Sequence, residues 1–259
     1  MQASMIEGMV TLAGLLLGMV LFLEAGRRIR LRMIVKREEK TVAGLSVVEG
    51  ALFGLMGLVI AFTFSGAASR FDARRNQIVE EANDIGTAYL RIDMLPEAAR
   101  PQLREEFRLY VDARLETYRS LLTIAGTFPE MDKAKEIQRR IWEQAVAATR
   151  EAAAPQAALL LLPSLNAMFD IANTRAWATQ LHPPPMIFAL LGTLALFCSL
   201  LAGFGMAGGN ARSWIHIVAF AAILTLTVYV ILDMEYPRIG FIRVEAFDKA
   251  LVDVRADMH

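Results

Sequence analysis

The run RRNQIVEEAND, residues 74–84, packs more ionisable groups into a short stretch than the apolar segments around it. Read as a helix, it puts Glu80 and Asp84 one turn apart, and Gln77, Glu81 and Asp84 on a shared face. Two carboxylates at that spacing suit a bound cation. No histidine stands at a fixed distance from them, so the expected use is a salt-bridge network with arginines such as Arg74 and Arg75. A second polar set, Asn166, Asp170 and Asn173, falls on one side of a helix beside Phe169 and Trp177, with Arg175 following. It is expected to form a buried polar stripe between helices or subunits. The remaining candidates are dispersed: His182, His216 and His259 lie far apart, and Cys198 stands alone within an apolar run. That excludes an intrachain disulfide and leaves no zinc-ligand spacing. GxxxxGK[ST], HExxH and GxSxG runs are missing as well. The expectation is a protein that is not an enzyme and uses no cofactor and no metal.

The elements that must hold these residues are built for lipid. Of 259 residues, 55% are hydrophobic, and mean hydropathy is +0.40. Formal net charge is zero, so no global basic field recruits nucleic acid. A span needs roughly 20 mostly apolar residues to cross about 30 Å of hydrocarbon. Four segments qualify: Met5–Leu23, Gly50–Ser69, Pro183–Ala211 with its best window at Pro185–Met206, and Ser213–Leu232. A fifth, Ala152–Phe169, is uncharged but contains Pro155, Gln156, Pro163, Ser164 and Asn166. Proline inside a lipid-exposed helix leaves backbone groups unpaired, so this segment is expected as a buried helix packed on others.

The expected class is therefore an all-α integral membrane protein, with two pairs of spans flanking a helical extramembrane domain. Residues 1–69 hold the first pair with a basic loop at 24–45, and 70–184 the helical domain. Residues 185–232 hold the second pair, and 233–259 an amphipathic tail. Within the central region, Phe71, Ile78, Ala82, Ile85, Tyr89 and Ile92 recur at helical spacing. Leu103, Phe107, Tyr110, Leu115, Tyr118 and Leu122 mark a second helix, and Ile137, Ile141, Ala145 and Ala148 a third. LPEAARP at 95–101 and AGTFPE at 125–130 punctuate them. Nothing between Ala61 and Asn83 breaks a helix except Gly66, so the second span is expected to run on into the charged region. From Glu49 to Met94 that makes a rod of about 45 residues and about 65 Å.

The second span carries two distinct faces. Gly50, Gly54, Gly57, Ala61 and Ser65 form a small-residue packing face, which lets another helix approach closely in lipid. Met56, Ile60 and Phe64 are spaced i, i+4, i+8 on a different face, where a ring of subunits would make a narrow apolar neck. No span has a charge at its middle, which counts against a proton or cation-coupled pump. In the tail, Asp233 and Glu235 sit where the fourth span ends, and VEAFDKALVDVRADM forms a short amphipathic helix suited to docking on the central domain. Arg27, Arg28, Arg30, Arg32, Lys36, Arg37 and Lys40 crowd the first loop. As a retention signal they place that loop inside the cell; as an Arg–apolar alternation they suit contact with anionic lipid.

The run FTFSGAASRFDARRNQIVEEANDIGTAYLRIDMLP resembles the bestrophin-like domain family of bacterial membrane proteins, as does DMEYPRIGFIRV in the tail. The order of two spans, helical middle, two spans and tail resembles that family over nearly the whole chain. Bestrophins are pentameric anion channels with cytosolic helical domains and an apolar neck on the second span. The resemblance thus implies a homo-oligomeric anion channel in the bacterial inner membrane, its partners being membrane lipid, other copies of the chain and inorganic anions. Met56, Ile60 and Phe64 fall where such a neck stands, and Arg70, Arg74 and Arg75 would attract anions at its mouth. The chain departs from bestrophins in having Phe62 and Phe64 two apart instead of a paired-phenylalanine neck, and in lacking an acidic calcium clasp in the tail. Bestrophin topology also puts the first loop outside, opposite to the charge rule. The competing reading is a non-conducting membrane scaffold or sensor that couples the helical domain to the bilayer.

Overall fold

The computed structural model describes residues 2–35, 45–120, 129–151, 155–208, 214–236, 241–242 and 244–259. They form eight α-helices joined in places by short 3-10 turns: α1 (Gln2–Val35), α2 (Leu45–Arg91), α3 (Arg100–Ser120), α4 (Pro129–Glu151), α5 (Pro155–Ala178), α6 (Pro185–Gly205), α7 (Trp214–Glu235) and α8 (Lys249–Ala256). No strand occurs among the described residues. Two compact units divide the chain: one holds Gln2–Arg70 with His182–Tyr236, the other Phe71–Leu181 with Pro237–His259. The single 47-residue α2 supplies helix to both.

The helical unit buries the faces that the apolar periodicity marks. Ile78, Ala82, Ile85 and Ile92 of α2, Leu103, Phe107 and Tyr110 of α3, and Ile137, Ile141 and Ala145 of α4 are all buried. Removing a side chain such as Phe107 from water contributes about 1.5–3 kcal/mol, so this layer dominates the unit's stability. The side chain of Tyr118 and residue Leu122 lie outside the described residues. Helix α5 joins the same core through Ala157, Leu161, Leu165 and Met168. Pro163 stands inside α5, and two carbonyls near it accept side-chain donors. The Arg91 guanidinium donates to Leu160 O at 2.7 Å, and Ser164 Oγ to Leu161 O at 2.7 Å. The tail docks as its amphipathic pattern implies. Leu251 and Met258 enter the core, Arg255 grips Asp112 at 2.9 and 3.1 Å, and Tyr89 Oη donates to His259 O at 2.7 Å.

The other unit contains α1, the first half of α2, α6 and α7. Contacts between α1 and α6 advance in step, from Gly18 beside Leu196 to Gly26 beside Leu200 and Phe204, so the two run parallel. A Cβ on Gly26 would meet Leu200 O at 1.9 Å, and one on Gly203 would meet Leu23 O at 1.9 Å. Only glycine permits that approach, which is the small-residue logic of helix packing in lipid. Helix α2 runs antiparallel to α6, with Met56 against Leu194 and Cys198 and Ala67 against Leu191. Helix α7 closes the bundle through Ile217 and Ala221 on Met19 and Leu23, and through the edge-on Phe53–Phe220 pair. Helix α1 continues to Val35, so Arg27, Arg28, Arg30 and Arg32 lie on a helix and not in a loop. Lys36, Arg37 and Lys40 lie outside the described residues.

Among the described residues, five helices are long and apolar enough to cross a membrane, and α5 is one of them, over Gln156–Ala178. The sequence reading counted four. Alone of the five, α5 lies wholly within the helical unit.

Candidate functional site

Among the described residues, the small-residue face of α2 has no packing partner within the chain. Gly50, Gly54, Gly57, Ala61 and Ser65 are all exposed, and a Cβ at Gly50, Gly54 or Gly57 would meet nothing within 4 Å. Leu55, Leu58 and Phe62 are exposed beside them. The three neck candidates occupy graded environments. Phe64 is exposed, Ile60 is half-buried, and Met56 is buried against Leu194 and Cys198.

Where α2 and α7 leave this bundle, a polar cluster replaces the apolar packing. The Glu235 side chain is wholly buried and accepts from Arg70 Nε at 2.9 and 3.1 Å, with Arg70 Nη2 at 2.8 Å. His182 Nδ1 lies 3.2 Å from the same carboxylate, and its ring packs 4.6 Å from that of Tyr236. Two residues before Glu235, Asp233 Oδ1 accepts from Tyr229 Oη at 3.0 Å. Arg70, read from sequence as a mouth residue, is thus bound bidentately to a carboxylate 165 positions away. Its charge is balanced locally, and the pair ties α2 to α7.

The other two mouth arginines are also engaged, within the helical unit. Arg74 donates to Ala178 O at 3.2 Å and Leu181 O at 3.1 Å. Arg75 bonds Asp72 at 3.1 Å, with its guanidinium 4.2 Å from the Phe247 ring centroid.

Glu81 does enter a salt-bridge network, but with different arginines from those expected. Its carboxylate is fully buried and takes Arg114 Nε at 2.5 Å and Arg175 Nη1. Arg175 also reaches Asp248 at 3.6 Å. Both guanidiniums come from other helices, α3 and α5, and each is only 4% exposed. Burial alone would raise the Glu81 carboxyl. The charges and hydrogen bonds of Arg114 and Arg175 outweigh it and hold the group below the usual carboxylate range. Asp84, one turn on, is pushed up by burial and by the negative charges of Glu80 and Glu81. Local sequence spacing shows which face Glu81 is on; it carries no sign of partners 33 and 94 positions away.

The stripe of Asn166, Asp170 and Asn173 is exposed on the chain by itself, so it is not buried between helices of its own unit. Helix α5 turns Leu161, Leu165, Met168 and Ala172 inward, and the polar stripe occupies the opposite side. The polar groups that α5 buries are Ser164 and Arg175. Asn173 does line a small cavity of about 50 Å³ with Arg114, Lys135 and Gln138. Among the described residues, no three His, Cys, Asp or Glu side chains come together in a metal-holding group.

One motif escaped the sequence reading. Residues 203–208 read GFGMAG, the glycine spacing of a dinucleotide loop. The run closes the apolar α6 instead of opening a helix after a strand, and Gly203 is occupied by the backbone of α1. The context removes the nucleotide meaning.

Long apolar helices and an all-helical charged unit define the class as a helical membrane protein. A sequence model of the Bestrophin-like domain family matches residues 13–246, most of the chain, and the protein belongs to that family. No curated protein and no solved structure matches it.

Proposed function

We propose that the protein is a homo-oligomeric, multi-pass anion channel of the bacterial inner membrane, with its apolar neck on α2. The observation that carries the reading is the unpartnered face of α2. Five small residues, Gly50, Gly54, Gly57, Ala61 and Ser65, lie exposed on an uncharged helix and invite close approach by a second copy of the chain. Four helices would span: α1, α2, α6 and α7. Helix α5 commits its apolar side to the core shared with α3 and α4, and takes a guanidinium from Arg91 on its backbone. In a ring of subunits, Phe64 and Ile60 would narrow the lumen, with Met56 packed behind them on α6. Arg74 and Arg75, the latter bonded to Asp72, would add positive potential for anions at the mouth. The spans carry no central carboxylate, which suits passive flow and not pumping or catalysis.

Chloride efflux from proteoliposomes tests this reading. Efflux should depend on protein, and Phe64→Ala and Ile60→Ala should each change its rate. A folded oligomer that passes no chloride would overturn it. The unbroken α2, shared by both units, favours as second reading a non-conducting sensor that couples the helical unit to the bilayer. That reading predicts a dimer or hetero-complex without an axial pore, which subunit counting by native mass spectrometry separates from a ring.

A further inference from the structure

The end of the α1, α6, α7 bundle opposite the Arg70–Glu235 pair is strongly basic. The candidate span of α1 runs over Val10–Ile34, so Arg27, Arg28, Arg30 and Arg32 occupy its last two turns. Glu24 is the acidic residue among them, held by Arg28 at 2.9 Å and Arg27 at 3.8 Å. Four guanidiniums against one carboxylate leave an excess of positive charge at the depth where a span meets lipid headgroups.

Two further features make this an ordered surface. The parallel α1–α6 crossing at Gly26 and Gly203 presses the helices together immediately before the arginines, which fixes where they start. Arg30 is then held with its guanidinium 5.0 Å from the Phe204 ring centroid, beside the C-terminal end of α6. Between the arginines, Ile29 and Leu31 are exposed, and Trp214 and Ile215 at the start of α7 are exposed as well. Guanidiniums interleaved with apolar side chains and an indole match a headgroup with its upper acyl chain, since phosphate takes charged donors and the chain takes Ile, Leu and Trp.

We propose that Arg27, Arg28, Arg30 and Arg32, with Phe204 and Trp214, form a binding surface for an anionic phospholipid headgroup. Arg28 and Arg32 are the exposed members and contact the phosphate, Arg28 through the nitrogens left over from its Nε bond to Glu24; Arg30 is positioned by Phe204. The inference rests on the chain being a membrane protein and is independent of conduction.

The test uses the purified full chain in mixed micelles, with phosphatidylglycerol or phosphatidylcholine as probe and retained lipid counted by native mass spectrometry. Each guanidinium near an anionic surface is worth about fivefold in binding. Wild type should therefore retain phosphatidylglycerol at least about tenfold over phosphatidylcholine. Arg28→Gln/Arg32→Gln should lose most of that preference, and the control Arg104→Gln/Arg139→Gln, in the helical unit, should keep it. If the double variant is poorly folded, Arg28→Gln alone changes a side chain that is 69% exposed and should weaken retention about fivefold. Equal retention of the two lipids, or an unchanged preference in folded Arg28→Gln/Arg32→Gln protein, overturns the proposal. So does displacement of the lipid by equimolar inorganic phosphate, which would mark a site for the free anion. Detergent solution removes membrane topology from the readout, so a topological role for these arginines cannot mimic the result.

Discussion

Replacing Glu81 by glutamine keeps the shape of the side chain and removes its charge, leaving two guanidiniums facing an amide. Arg114 and Arg175 are each 4% exposed, and Glu81 is fully buried, so water cannot solvate what the carboxylate leaves behind. Breaking a buried ion pair from one side costs about 3–5 kcal/mol, because the surviving charge is stranded. The exposed Glu136–Arg139 pair, with side chains 50% and 56% accessible, is screened by water, so changing Glu136 to Gln should cost far less. The assay is denaturant unfolding in mild detergent, followed by tryptophan fluorescence in a Trp214→Phe background. Trp142 and Trp177 then report the helical unit alone. The pH dependence adds a second check. The folded Glu81 carboxyl lies below its ordinary value near 4.5, so the pairing stabilises the fold above that value and is lost as pH falls through the depressed folded one. Wild type and Glu81→Gln should thus differ fully at pH 7 and converge in strong acid. A triple change, Glu81→Leu with Arg114→Met and Arg175→Met, should recover most or all of the loss, since a packed apolar cluster can match a buried triad. A cost below about 1 kcal/mol for Glu81→Gln at pH 7 would refute the buried network as a stabilising feature.

Two further perturbations separate packing within the chain from packing between chains. Gly26→Ala places a Cβ 1.9 Å from Leu200 O and should cost about 1–3 kcal/mol or more of bundle stability, read as a lowered thermal midpoint. Gly54→Ala meets nothing within 4 Å and should leave that midpoint alone while weakening the oligomer on native mass spectrometry; loss of monomer stability would contradict the exposed face. Asp84→Asn should stabilise the helical unit at pH 7 by about 0.2–0.5 kcal/mol, because it relieves i, i+4 repulsion from Glu80. Since the Asp84 carboxyl is raised, that gain should shrink as pH falls and the aspartate takes up its proton; a gain that grows in acid would reverse the assignment.

The helices and their buried faces were legible in the sequence because periodicity is a local signal. Ile78, Ala82, Ile85 and Ile92 recur at helical steps of four, three and seven residues, and the structure buries that face. The unbroken run of α2 from an apolar to a charged half was readable for the same reason: no residue in it stops a helix. Partners were not legible. Arg70 meets Glu235 across 165 positions, and Glu81 meets Arg175 across 94, and neither pairing leaves a trace in spacing. The glycines show the limit most clearly. Gly50, Gly54 and Gly57 form a regular stripe and were read as the packing face, yet the contacts closest to backbone are at Gly26 and Gly203, isolated glycines on two helices that meet only in the fold. Helix α5 is apolar enough to suit a span, its prolines and polar residues argue for a packed helix, and the core it shares with α3 and α4 shows which of its residues do the packing.

The central claim, anion conduction past a neck on α2, is tested most directly by chloride efflux from vesicles reconstituted with purified oligomer. Phe64→Ala, Ile60→Ala and empty vesicles would run alongside, with gluconate as the impermeant control. The account predicts protein-dependent chloride efflux, little gluconate efflux and altered rates in both neck variants. Efflux equal to that of empty vesicles, from oligomer shown to be folded and inserted, would contradict it.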